Sequence, residues 1–104
     1  MIKSVMIDSV NYEIEMTDET LLVDNQKCGA EVSFHQSLIR ISNEIGEGAK
    51  PRALMHEIFH ALLHERGLYE ESDNEKLVDE LAAGVINLIR ANPELVEFII
   101  QDEQ

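Results

Sequence analysis

The hydrophobic pattern of this 104-residue chain changes period once, and that change limits what it can fold into. Up to about residue 45 the apolar residues alternate: Val5 and Ile7, then Tyr12, Ile14 and Met16, then Val32 and Phe34, and last Leu38, Ile39 and Ile41. Alternation sends successive side chains to opposite faces, as in strands covered on one side. After Gly46-Glu47-Gly48 the period lengthens. Leu54, Ile58, Ala61, Leu62 and Glu65 recur at helical spacing, followed by Leu77, Val78, Leu81, Ala82, Val85, Leu88 and Ile89. Strands first and helices afterwards predict an α+β fold, with a small, mostly antiparallel N-terminal sheet packed on two helices plus a short C-terminal helix.

Turn residues divide the pattern. Asp8-Ser9 with Asn11 predicts a hairpin, Asp24-Asn25 and Gly29 a loop, and His35-Gln36-Ser37 a second hairpin. Pro51 suits the first turn of a helix over 50–66, which Gly67 stops. A second helix is expected over 73–91, and Asn92-Pro93 reads as N-cap and first residue of a third over 93–101. The whole of 1–104, strand-rich over 1–45, is read as one minimal domain with no room for a regulatory one.

Charge narrows the function classes. Lys and Arg number 8 against 21 Asp and Glu, a net charge of −13. Such a surface repels phosphate, which argues against direct binding to DNA, RNA or anionic lipid and favours a basic protein substrate or partner. Cys28 is the only cysteine, so no internal disulfide forms, and it is read as a packing or loop residue. The N-terminal apolar stretch is too short for a signal peptide, and no run approaches the roughly 18 apolar residues that span a bilayer. A cytoplasmic protein is expected.

Chemistry concentrates in His56-Glu57-Ile58-Phe59-His60. Histidines four apart on a helix point to one side and can share a metal ion, with zinc the default for two imidazoles and a carboxylate. Glu57, beside the first histidine, is the candidate general base for a water acidified by the metal. The third ligand is sought on the next helix, in Glu75-x-x-x-Asp79. Glu75 is the candidate ligand, and Asp79 the acceptor that fixes a histidine tautomer. A structural alternative makes Ser72-Asp73-Asn74-Glu75 a capping box, and Glu71, Asp73 and Glu80 are weaker ligand candidates.

With these residues the chain resembles the gluzincin pattern of thermolysin-type metallopeptidases. From Ala53 to Leu88, with Leu81-Ala82-Ala83 after the acidic pair, it is similar to the ImmA/IrrE family of small bacterial and phage-encoded metallopeptidases. The resemblance implies a single zinc ion and endopeptidase action on a cytoplasmic protein such as a repressor. Leu63 and Arg66 stand where the metzincin motif needs glycine and histidine, which excludes that branch. His64 extends the histidine stripe by a turn, too far along the axis to share one tetrahedral ion. Tyr69 is the first candidate for stabilising an oxyanion, with His64 and His35 behind it. Leu38–Ile41 is expected to be an edge strand able to pair with an extended peptide. The competing reading is an acidic, phage-type inhibitor or binding module without catalysis; it has no use for Glu57 as a base.

Overall fold

The structure, a computed structural model, describes residues 2–101. Met1 and residues 102–104, which the single-domain reading includes, lie outside the described residues. β1 (Ser4–Ile7) and β2 (Val10–Thr17) form the first expected hairpin, joined by a two-residue turn in which Asp8 has φ +52°. Aspartate tolerates that left-handed conformation because its side chain can bond locally. The segment read as a loop at Asp24-Asn25 is instead a second, tiny hairpin of β3 (Leu22–Val23) and β4 (Gln26–Lys27). Its two turn residues have φ +52° and +64°, the paired positive angles that a tight hairpin requires.

β5 (Ala30–Ser33) and β6 (Leu38–Ser42) make the remaining hairpin through the expected His35-Gln36-Ser37 turn. The sheet order is β1-β2-β6-β5, and β2 pairs with β6 in parallel, Ile14 opposite Ile39 and Met16 opposite Ile41. The sheet is therefore mostly antiparallel, as expected, around a parallel central pair. This corrects the edge assignment of Leu38–Ile41, since β6 has a partner on each side and β5 is the edge. The physical reason lies in burial. Ile39 and Ile41 are fully buried, whereas Glu31, Val32 and Ser33 of β5 are half-buried, so the more apolar strand takes the middle.

A 3-10 turn over Glu47–Ala49 leads into α1 (Lys50–Glu65), which stops before Gly67 at φ +77°. A one-turn helix not expected from the sequence, α2 (Tyr69–Ser72), precedes α3 (Glu75–Ala91), and α4 (Pro93–Ile100) completes the chain. Asn74, not Ser72, caps α3: its side-chain oxygen accepts the Leu77 N–H at 3.0 Å, so the alternative capping box does not form. Asn92 does not cap α4 through its side chain; its Nδ2 donates back to the Leu88 carbonyl at 3.0 Å.

The core joins Ile7, Tyr12, Ala30, Ile39 and Ile41 of the sheet to Ala61 of α1, whose small side chain lets the helix approach closely. Burying one such aliphatic side chain stabilises the fold by about 1.5–3 kcal/mol. The Tyr12 hydroxyl donates to Glu65 Oε2 at 2.6 Å, fixing the last turn of α1 on β2. On the other side α1 packs against α3, which buries Val78, Ala82 and Ile86. Leu77, Leu88 and Ile89 of the expected stripe stay exposed. Among the described residues no helix is long and apolar enough to cross a membrane.

Candidate metal centre

A cleft of about 600 Å³ opens between α1, the start of α3 and the free edge of β5. Helical spacing brings His56 and His60 of α1 to its wall, with ring centroids 4.8 Å apart and Nε2 atoms separated by 3.2 Å. Glu75, the first residue of α3, reaches both. Its Oε2 lies 3.0 Å from His56 Nε2 and its Oε1 3.0 Å from His60 Nε2. One donor atom from each residue fits a group with all separations within 4.8 Å. Around a tetrahedral cation with bonds of about 2.0–2.1 Å, neighbouring donors lie roughly 3.3 Å apart, close to these separations. His56, His60 and Glu75 thus lie close together and could bind a metal ion.

Each imidazole has a second neighbour, a hydrogen-bond partner for His60 and a more distant carboxylate for His56. His60 Nδ1 lies 2.6 Å from the Ser72 carbonyl oxygen, an atom that can only accept, so Nδ1 carries the hydrogen and the Nε2 lone pair faces the cleft. Ser72 returns the contact, its hydroxyl donating to the His60 carbonyl at 2.8 Å. His56 Nδ1 lies 3.5 Å from Asp79 Oδ1, and Asp79 also accepts from Arg52 Nη2 at 3.3 and 3.4 Å. Asp79 therefore stands where a tautomer-fixing carboxylate was sought.

Glu57 lines the same cleft without joining the donor group. Its side chain is buried, and burial pushes its pKa up to about 7; the Glu75 and Glu31 carboxylates add to the rise and His56 opposes it. A carboxylate that exchanges its proton near neutrality suits a general base. Cys28 also lines the cleft, and its thiol is pushed up by burial and by the charges of Glu31 and Glu57, which keeps it protonated and unreactive.

Tyr69 is not brought into the cleft. Its ring packs edge-on against His64 at 5.1 Å, and His64 in turn stacks flat on Phe34 at 4.0 Å. Of these three only Phe34 borders the cleft; His64 and Tyr69 lie beyond its lining, as does His35. The cause is the Gly67 turn, after which α2 starts alongside the end of α1 rather than over the histidines. Three participants escaped the sequence reading: the Ser72 carbonyl, Glu31 and Arg52. Arg52 had a readable signal, since 52, 56 and 60 form one stripe on α1; a backbone carbonyl has none. Compared with protein-family models, curated proteins and solved structures, the chain matches none of them.

Proposed function

We propose that the chain is a zinc-dependent endopeptidase in which His56, His60 and Glu75 hold the ion and Glu57 acts as general base. The observation that carries this reading is Glu57 itself, a buried carboxylate with its pKa near 7 on the wall of the cleft that holds the three donors. A site that only held metal for stability would gain nothing from burying a carboxylate beside its ligands. Two imidazoles and one carboxylate favour zinc and leave a coordination position open. Bound there by His56, His60 and Glu75, zinc would supply Lewis acidity to polarise a carbonyl and acidify a water.

The protein residues supply the rest. Glu57 takes the proton from the attacking water and is placed to pass it to the leaving amine. Ser72 keeps the His60 Nε2 turned inward, and Asp79 lies where it can do the same for His56. β5 offers the extended backbone of a substrate a partner. The Ser42 N–H to Gly29 carbonyl bond of 2.9 Å sets the ladder, so Glu31 faces β6 while the outward backbone groups belong to Ala30 and Val32. An unfolded segment of a protein would add there as a strand.

The test begins with metal analysis of the purified protein, then incubation of the zinc-loaded chain and its Glu57→Gln variant with unfolded proteins and peptide mixtures. Wild type is expected to cleave, and Glu57→Gln to bind zinc equally while losing roughly 10²–10⁴-fold in rate. Equal rates for the two would sink the peptidase reading and leave an acidic binding module in its place.

A further inference from the structure

A second cleft, of about 410 Å³, lies beside the first, between α1 and the far half of α3. The two differ sharply in charge. The metal cleft is bordered by Asp24, Glu31, Glu57, Asp73, Glu75 and Asp79, with Arg52 its one cation. Among the described residues the second has no acidic residue on its wall and is bordered by Arg52, Arg90 and Asn87 over an apolar floor of Ile45 and Ile86. Ala83, Asn87 and Arg90 follow one another at helical spacing, so they present one face of α3 to this space.

Arg90 stands out among the four arginines. Arg40 pairs with Glu15, Glu19 and Glu31, Arg52 with Asp79, and Arg66 with Asp8. Arg90 forms no ion pair among the described residues, in a chain where acids outnumber bases 21 to 8. A guanidinium left without a carboxylate in such surroundings, beside a side-chain amide and a second arginine, is a ready receptor for a carboxylate from outside.

The clefts are continuous. Gly29, Arg52 and Ala53 border both, and Gly29 sits at the start of β5, where the substrate-pairing edge begins. A Cβ on Gly29 would come 3.2 Å from Ile45 Cγ2. Glycine keeps this junction open.

We propose that the Arg52–Asn87–Arg90 cleft is a carboxylate-binding subsite, which takes an acidic side chain or the free C-terminus of a peptide lying along β5. Its role as a substrate subsite rests on the peptidase reading, but its affinity for carboxylates does not. The acidic metal cleft and the cationic cleft next to it then select a peptide with opposite charge preferences at two nearby positions. Because Arg90 is exposed, the attraction is partly screened by water and salt, and a single fragment should bind in the millimolar range.

The experiment follows the Asn87 side-chain amide and Arg90 Nε resonances of the 15N-labelled chain. Four fragments are titrated: N-acetyl-glutamate amide, which carries only a side-chain carboxylate, acetyl-dialanine with a free C-terminus, and their neutral counterparts, N-acetyl-glutamine amide and acetyl-dialanine amide. At least one carboxylate is expected to shift both signals, its neutral counterpart to leave them in place, and Arg90→Gln to weaken the response about ten-fold. Whichever carboxylate binds identifies the source. Arg90→Gln removes no ion pair among the described residues, so its fold should survive. Equal shifts with acidic and neutral fragments, no shifts, or an unchanged response in Arg90→Gln would overturn the subsite. If the titration succeeds while the zinc-loaded chain cleaves nothing, the anion site stands and the peptidase reading falls.

Discussion

The two helices that build the candidate metal cluster contribute to it in different ways. On α1 the candidate donors are held in place by the protein itself. The His60 side chain is only 10% exposed, and its ring and backbone are laced to Ser72 by two reciprocal hydrogen bonds. His56, at 20%, sits between Asp79 and the cleft. On α3 the Glu75 side chain is 71% exposed and, among the described residues, is held by contacts to the two imidazoles alone. It is the first residue of α3, and among the described residues no hydrogen bond from its side chain to the backbone fixes its rotamer. One arm is rigid because it grows out of the core; the other is exposed and rests on the first. A metal ion held between them would order the start of α3 against α1, and chelation should then lower the melting temperature.

The rigid arm carries a cost that can be measured. Glu57 is buried on α1 with its pKa raised from 4.5 to about 7. An acid whose folded pKa lies above its unfolded value binds its proton more tightly when folded. The metal-free fold is therefore most stable below pH 4.5, as far as this group is concerned, and loses stability as pH rises through 7. The full loss is about 3 kcal/mol. Glu57→Gln, which cannot ionise, should stabilise the metal-free protein by up to that amount at pH 8 and by almost nothing at pH 4. Denaturant unfolding at the two pH values checks this; an equal effect at both would show that the carboxylate is solvated and the α1 arm less enclosed than described.

A direct comparison of the arms comes next in size. His60→Ala removes one of the three candidate metal donors and leaves the buried Ser72 carbonyl without its partner, which costs roughly 1–3 kcal/mol in the metal-free state. For a domain of this size the melting temperature should fall by about 4–8 °C for each kcal/mol. Glu75→Ala should abolish stoichiometric zinc as well, yet leave the metal-free melting temperature close to wild type. Thermal scans with and without chelator separate the cases. If both variants lowered the metal-free melting temperature alike, the contrast between a rigid and a mobile arm would be gone.

This asymmetry also explains what could be read from the sequence. The α1 helix, its three motif residues, and Glu75 and Asp79 were legible because each rests on local periodicity and on side chains whose chemistry their type reveals. Ser72 was not. Ser-x-x-Glu looks like a capping box, and nothing local says that Asn74, two residues later, wins the cap and frees Ser72 to face His60. The central place of β6 was hidden for a related reason: strand order depends on pairing between β2 and a segment more than twenty residues away. Tyr69 was the right type of residue at the wrong place, since the direction of the chain after Gly67 is set by packing. Arg90 belongs to the same class, since Arg52 and Ile45, which border the same cleft, are distant in the chain.

The smallest effect is expected at Asp79, where the arms meet a second time. Asp79 Oδ1 faces His56 Nδ1 at 3.5 Å, a long contact, while both its oxygens engage Arg52. If Asp79 fixes the His56 tautomer, Asp79→Asn should weaken zinc binding by roughly 10–100-fold, as losses of such supporting carboxylates do, with little change in the metal-free fold. Arg52→Ala provides the opposing control. Removing the competing guanidinium lets Asp79 close on His56, so zinc affinity should be kept or increased. Competition against a chelator of known affinity measures both. A loss in Arg52→Ala equal to that in Asp79→Asn would mean that the Arg52–Asp79 pair positions α3 as a unit. Unchanged affinity in Asp79→Asn would leave His56 held by α1 alone, and α3 would then contribute a single mobile ligand and nothing more.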